Sequence, residues 1–142
     1  MSWDEQMKYL KNCTGDKMYF GAICGKDGNV WASSCKDSMN VSKEEAATMS
    51  KICEQSSAEL GNAQCGGVYL GANKFRFVRS DGDEKSVTFT RNLEDDKSKL
   101  HNGFAIETKQ AVVICVCEEE GKGTAAATGA CKMAEYLTSV GY

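Results

Sequence analysis

The chain has 142 residues, a mass of 15.4 kDa, 42% hydrophobic and 26% charged residues, a balance that excludes a disordered chain and predicts one domain spanning 1–142. A net charge of −3 and a pI of about 5.2 exclude a general nucleic-acid binder, which needs a strongly basic face. The longest apolar run, Ala111 to Cys117, falls far short of a membrane span, and the acidic start MSWDEQMKYL is unlike a secretory signal, so a cytoplasmic protein is expected.

Ser2-Trp3-Asp4-Glu5 fits a capping box, and Trp3, Met7 and Leu10 recur at i, i+4, i+7. Together they predict an amphipathic helix over 3–13. MYFGAIC (18–24) and NVWASS (29–34) flank Lys26-Asp27-Gly28, a hairpin signal. A second capping box, Ser42 to Glu45, opens a predicted helix over 43–56 with Ala46, Met49, Ile52 and Cys53 on one face.

Strand periodicity follows. VYLG (68–71), KFRFVRS (74–80) and KSVTFT (85–90) are separated by Ala72-Asn73 and Asp81-Gly82-Asp83 and predict two hairpins. The polar stretch NLEDDKSKLHNG (92–103) reads as an exposed loop. FAIET (104–108) and AVVICVC (111–117) form a further hairpin around Lys109-Gln110. A Gly-Lys-Gly turn at 121–123 leads into a last helix over about 124–139, with Met133, Leu137 and Val140 as its core stripe. Strands joined by tight turns make an antiparallel meander, and a helix at each end of the chain must cover a sheet face. The expected fold class is an α+β sandwich.

Catalytic patterns are missing. No G-x-G-x-x-G follows a strand, and GKGT (121–124) lacks the upstream glycine of a phosphate loop. Asp81-Gly82-Asp83-Glu84 begins like a calcium loop without later ligands, so it reads as a turn. A cysteine–histidine pair would have to use His101, which sits in the polar stretch. A binding module without catalysis, cofactor or metal is the better class. The eight cysteines, at 13, 24, 35, 53, 65, 115, 117 and 131, include no C-x-x-C. They read as reduced, buried small apolar residues, with Cys115 and Cys117 on one strand face. A regulatory disulfide stays open on the sequence.

MSW at the start, GAICGKDGNVWASS at 21–34, GVYLGANKFRFVRSDG at 67–82 and CKMAEYLTSVGY at 131–142 resemble the profilin family across the whole chain. The resemblance implies an antiparallel sheet with the N- and C-terminal helices packed together on one face and a shorter helix on the other. It also implies a non-catalytic cytoskeletal protein that binds monomeric actin, proline-rich proteins such as formins, and phosphoinositide headgroups weakly.

The implied polyproline site comprises Trp3, Gln6, Trp31, Tyr136 and Tyr142. A polyproline II helix lacks backbone donors, so its rings pack on aromatic faces while its carbonyls accept from indole or phenol groups. From the residues alone, Trp3 and Trp31 read as core aromatics; the resemblance makes them a groove. Gln6 stands where the family usually has an aromatic, and losing that ring is expected to cost about 1 kcal/mol or to alter the register. Tyr9 lies a further turn along, about 120° from Trp3.

The implied actin-binding positions are Lys74, Phe77, Arg79, Arg91 and Lys122. Residues 72–109 hold eight Lys/Arg against seven Asp/Glu, while the remainder holds nine against thirteen. A less acidic region on an acidic protein suits an acidic partner surface, and Phe77 between charges marks an interface if it is exposed. Phosphoinositides would use the same basic groups in a salt-sensitive way. Two alternatives stand beside this reading: a thiol-based redox protein, and a peptide- or lipid-binding scaffold without actin binding.

Overall fold

A computed structural model of the chain describes residues 3–15, 17–35, 41–71, 73–93, 96–120 and 124–142, with the side chains of 3–4, 92–93, 96–100 and 119–120 left out. Ser2, and with it the first capping box, lies outside this set, as does the 121–123 turn. Helix α1 (Trp3–Cys13) leads into the hairpin of β1 (Met18–Gly25) and β2 (Val30–Cys35). Helices α2 (Lys43–Cys53) and α3 (Ser57–Gly66) precede β3 (Val68–Leu70), β4 (Asn73–Asp81), β5 (Ser86–Leu93), β6 (Asp96–Glu107) and β7 (Ala111–Glu120); α4 (Ala125–Ser139) follows. The strands form one antiparallel sheet in the order β2-β1-β7-β6-β5-β4-β3. The fold is α+β, as expected.

Strands β1 and β7 lie side by side and are apolar over long runs because both sheet faces are covered. Phe20, Ala22, Cys24, Val112, Ile114 and Val116 pack with Met49, Ile52 and Cys53 of α2. Ile23, Val113, Cys115 and Cys117 pack with Met7 and Leu10 of α1 and Ala130, Met133 and Leu137 of α4. The register shifts between Met18 and Phe20. That irregularity sends Met18 into the α1/α4 layer while Tyr19 and Phe20 both enter the α2 layer.

The two terminal helices run in opposite directions. Thr14, just past α1, meets Gly129 near the start of α4, where an added Cβ would come within 2.6 Å of Thr14 Cγ2. Tyr9 meets Tyr136 in the last turn of α4. On the other face, Ser42 Oγ accepts from the Glu45 amide at 3.1 Å and the Ser42 amide donates to Glu45 Oε1 at 3.0 Å. Glu45 Oε1 also accepts from the Gly71 amide at 2.9 Å, so the capping box ties α2 to the end of β3.

Several expectations are corrected. The second helix stops at Cys53, because Gln55 adopts φ 65° and starts a new turn. A separate helix, α3, then follows. It was invisible to periodicity because SAELGNAQCG carries no apolar stripe and buries only Ala63 fully. The 92–103 stretch is not a loop: β5 runs to Leu93 and β6 starts at Asp96, and the backbones pair from Asn92↔Leu100 onward. His101 is therefore buried in the sheet rather than held in a polar loop. Val140 is 42% exposed beyond α4 and leaves the core stripe to Met133 and Leu137. Of the cysteines, 24, 53, 115 and 117 are buried, 13, 35 and 131 are half-buried and Cys65 is exposed.

Candidate functional site

Two surfaces carry the residues singled out by sequence. The first follows the seam of α1 and α4 and the neighbouring edge strand β2. Trp31 is half-buried, its indole resting against Gly25, where an added Cβ would lie 3.2 Å from Trp31 Cζ2. Its ring meets Tyr142 edge-on, with centroids 5.9 Å apart and an interplanar angle of 65°. Tyr142 is fixed by its backbone. Its amide donates to the Leu137 carbonyl at 2.8 Å, and its own carbonyl oxygen accepts from the Gln110 amide at 2.6 Å and from Thr108 Oγ1 at 2.9 Å. The end of the chain is thus pinned to the β6–β7 turn, which holds the phenol beside Trp31.

Tyr136 remains partly exposed while Met133 and Leu137 on the same helix are fully buried, as its position on the helical wheel implies. Its neighbour is Tyr9, at 5.8 Å and 47°. Tyr9 is 40% exposed. The thiol of Cys13 at its hydroxyl holds the phenol above its usual pKa. Gln6 is only 6% exposed, so little of its amide reaches the surface. The structure thus brings Trp31 to Tyr142 and Tyr136 to Tyr9. The Trp3 side chain lies outside the described residues. Sequence reasoning set Tyr9 aside on its angle from Trp3; the signal that finds it is its i+3 spacing from Gln6, on the side of α1 that α4 covers.

The second surface lies at the far end of the sheet. Lys74, Phe77 and Arg91 line one cleft of about 440 Å³ together with Arg76, Thr90, residues 63–66 of α3 and Gly67 just past it. Phe77 is half-buried, packed against the core on one side while lining the cleft on the other, so the exposure that would mark an interface is only partial. Arg76 was missed, although the alternation in KFRFVRS gives it the same face as Lys74. Arg79 is not part of this cleft. The register shifts between Phe77 and Arg79, and Arg79 lines a separate hollow with Asp81, Glu84 and Phe104. Lys122 lies outside the described residues.

Arg91 is held from within. Its guanidinium lies 4.9 Å from the Phe75 ring centroid, and Nε donates to His101 Nδ1 at 3.0 Å. Accepting at Nδ1 assigns the neutral tautomer of His101 protonated at Nε2. The imidazole stacks on Tyr19 at 4.2 Å.

Elsewhere, Asp81 Oδ1 accepts from the amides of Asp83 and Glu84 at 2.9 and 3.2 Å, a turn rather than a calcium loop. Among the described residues no group of three or more His, Cys, Asp or Glu is placed to hold a metal ion. Burial pushes the Cys24 thiol up to about 12 and raises Cys53 and Cys131 as well. Such thiols are poor nucleophiles at neutral pH. Among the described residues no helix is long and apolar enough to cross a membrane.

Known proteins with this fold carry the argument further. The sequence profile of the Profilin family matches residues 1–142. Profilin-1 of Entamoeba histolytica is 31% identical over 144 residues, covering all of both chains. Mouse profilin IIa, solved in complex with a double repeat from the FH1 domain of mDia1, superposes with a TM-score of 0.72 at 19% identity, covering 96% of this chain and 98% of that one. The crystal structure of a LokiProfilin1/rabbit actin complex matches with a TM-score of 0.68 at 13% identity, covering 99% and 98%.

Proposed function

The chain belongs to the profilin family, and on that premise we propose that it binds monomeric actin on the β4–β5 side and proline-rich segments in the α1/α4 trough, regulating filament assembly without catalysis of its own. The observation that carries the proposal is the edge-on contact of Trp31 with Tyr142 beside the helix seam. Two half-exposed rings from distant parts of the chain converge there, with an indole N–H and a phenol that can donate to proline carbonyls. Trp3 at the start of α1, Gln6 and Tyr136 complete the proposed site.

The proposed actin side uses Lys74, Phe77 and Arg91, with Arg79 in the separate hollow; Lys122 is included on the family resemblance alone. The cations of the 440 Å³ cleft favour an acidic partner and raise the association rate. Phosphoinositide headgroups would bind the same cations, in competition with actin and with strong salt sensitivity. The two surfaces leave room for a ternary complex. β2 and β4 are five strand spacings apart in the sheet order, about 24 Å along the sheet. The raised pKa values of the buried thiols weigh against a redox protein.

The test is retention on immobilised polyproline followed by a pyrene-actin assembly assay with the eluted protein. Retention together with slowed spontaneous assembly supports the proposal. A protein that passes through the column has no proline site, and one that leaves assembly unchanged is a scaffold without actin binding.

A further inference from the structure

We infer that Tyr9, with Tyr136, forms an additional ring platform that extends the bound proline-rich segment by about one polyproline II turn beyond Trp31 and Tyr142; this rests on the proline-binding reading above. The rings of Tyr9 and Tyr136 stand 5.8 Å apart at 47°, an open angle rather than a flat stack. Tyr9 is exposed and Tyr136 half-exposed, so both residues reach solvent.

Spacing and chemistry agree. Six residues separate Trp3 from Tyr9 within α1, a rise of about 9 Å. One polyproline II turn is three residues, also about 9 Å. A ligand that runs along α1 therefore passes from the level of Trp3 to the level of Tyr9 in about one polyproline II turn. Between them lies Gln6, 94% buried and without a ring. The platform that position 6 does not supply is supplied three residues further on.

The experiment is a titration of proline peptides of about six, nine and twelve residues against the parent chain, Tyr9→Ala, Tyr9→Phe and Trp31→Ala, with melting curves to check folding. Tyr9→Ala is expected to bind the longest peptide about five-fold more weakly than the parent and the shortest as the parent does. Tyr9→Phe keeps the ring and retains the parent's length dependence. Trp31→Ala loses affinity at every length. If Tyr9→Ala matches the parent at all lengths, or loses affinity equally at all of them, the Tyr9 platform is wrong while the trough stands. If Trp31→Ala binds every length as the parent does, the trough itself is wrong.

Discussion

Gly103 of β6 sits directly across from Phe89 of β5, and a Cβ added to it would come within 2.0 Å of the ring's Cε2. The absence of a side chain there lets Phe89 lie flat over its neighbour and meet Phe75 edge-on at 5.3 Å. Both phenylalanines are fully buried and line the layer beneath the β4–β5 surface. Gly103→Ala forces the ring out of place and is expected to cost about 1–3 kcal/mol, lowering Tm by roughly 3–10 °C. A thermal melt checks this, and Phe89→Leu in the same chain is expected to restore part of the loss.

Glu107 carries a pH dependence. Its carboxylate is buried, with Lys26 Nζ 2.8 Å from Oε1 and Ser50 Oγ donating to Oε2 at 3.2 Å. Burial raises its pKa, and Lys26 opposes that rise. A carboxyl whose folded pKa lies above its unfolded value contributes stability that is fully present below the unfolded pKa and is lost as pH rises through the folded pKa. Lys26→Met removes the opposing cation and raises the folded pKa further. At pH 7 this variant is expected to lose about 1–3 kcal/mol, less than a fully buried pair because Lys26 is partly exposed. The loss is expected to shrink on acidification below pH 5, and adding Glu107→Gln is expected to relieve it at pH 7. Denaturant melts across pH 4–8 measure all three.

The thiols sort by burial. Cys65 is exposed and is expected to react first with an alkylating reagent, followed by Cys13, Cys35 and Cys131. Cys24, Cys53, Cys115 and Cys117 are expected to react only after unfolding. Mass spectrometry of the time course reads the order directly.

On the basic side, Lys74→Glu and Arg76→Glu are expected to weaken actin-monomer binding about ten-fold. Arg79→Glu is expected to do less, because Arg79 lies in the separate hollow beside Asp81 and Glu84. Monomer sequestration at two salt concentrations checks both statements.

The fold was legible where one period dominated. The apolar run of β7, the Asp-Gly turns and the Ser42–Glu45 capping box each mark their element in the sequence, and each appears in the structure. Helix α3 was not legible, because a short helix that buries little needs no stripe. The β5–β6 extension was hidden for a related reason. Strand pairs such as Lys99↔Glu120 are satisfied through the backbone, so charged residues there broke no rule of the ladder. At the site, the helical wheel correctly left Tyr136 half-exposed beside buried Met133 and Leu137. Tyr9 is missed when its angle is taken from Trp3, whereas its i+3 spacing from Gln6 puts it beside α4, where it meets Tyr136.

The most direct test of the trough is a solution NMR titration of the isotopically labelled chain with a proline-rich peptide. The expected result is progressive shifts of the Trp31 indole N–H and of the Tyr136 and Tyr142 resonances, with those of Lys74 and Arg76 unmoved. Shifts confined to the β4–β5 side, with the Trp31 indole unchanged at saturating peptide, would contradict the account.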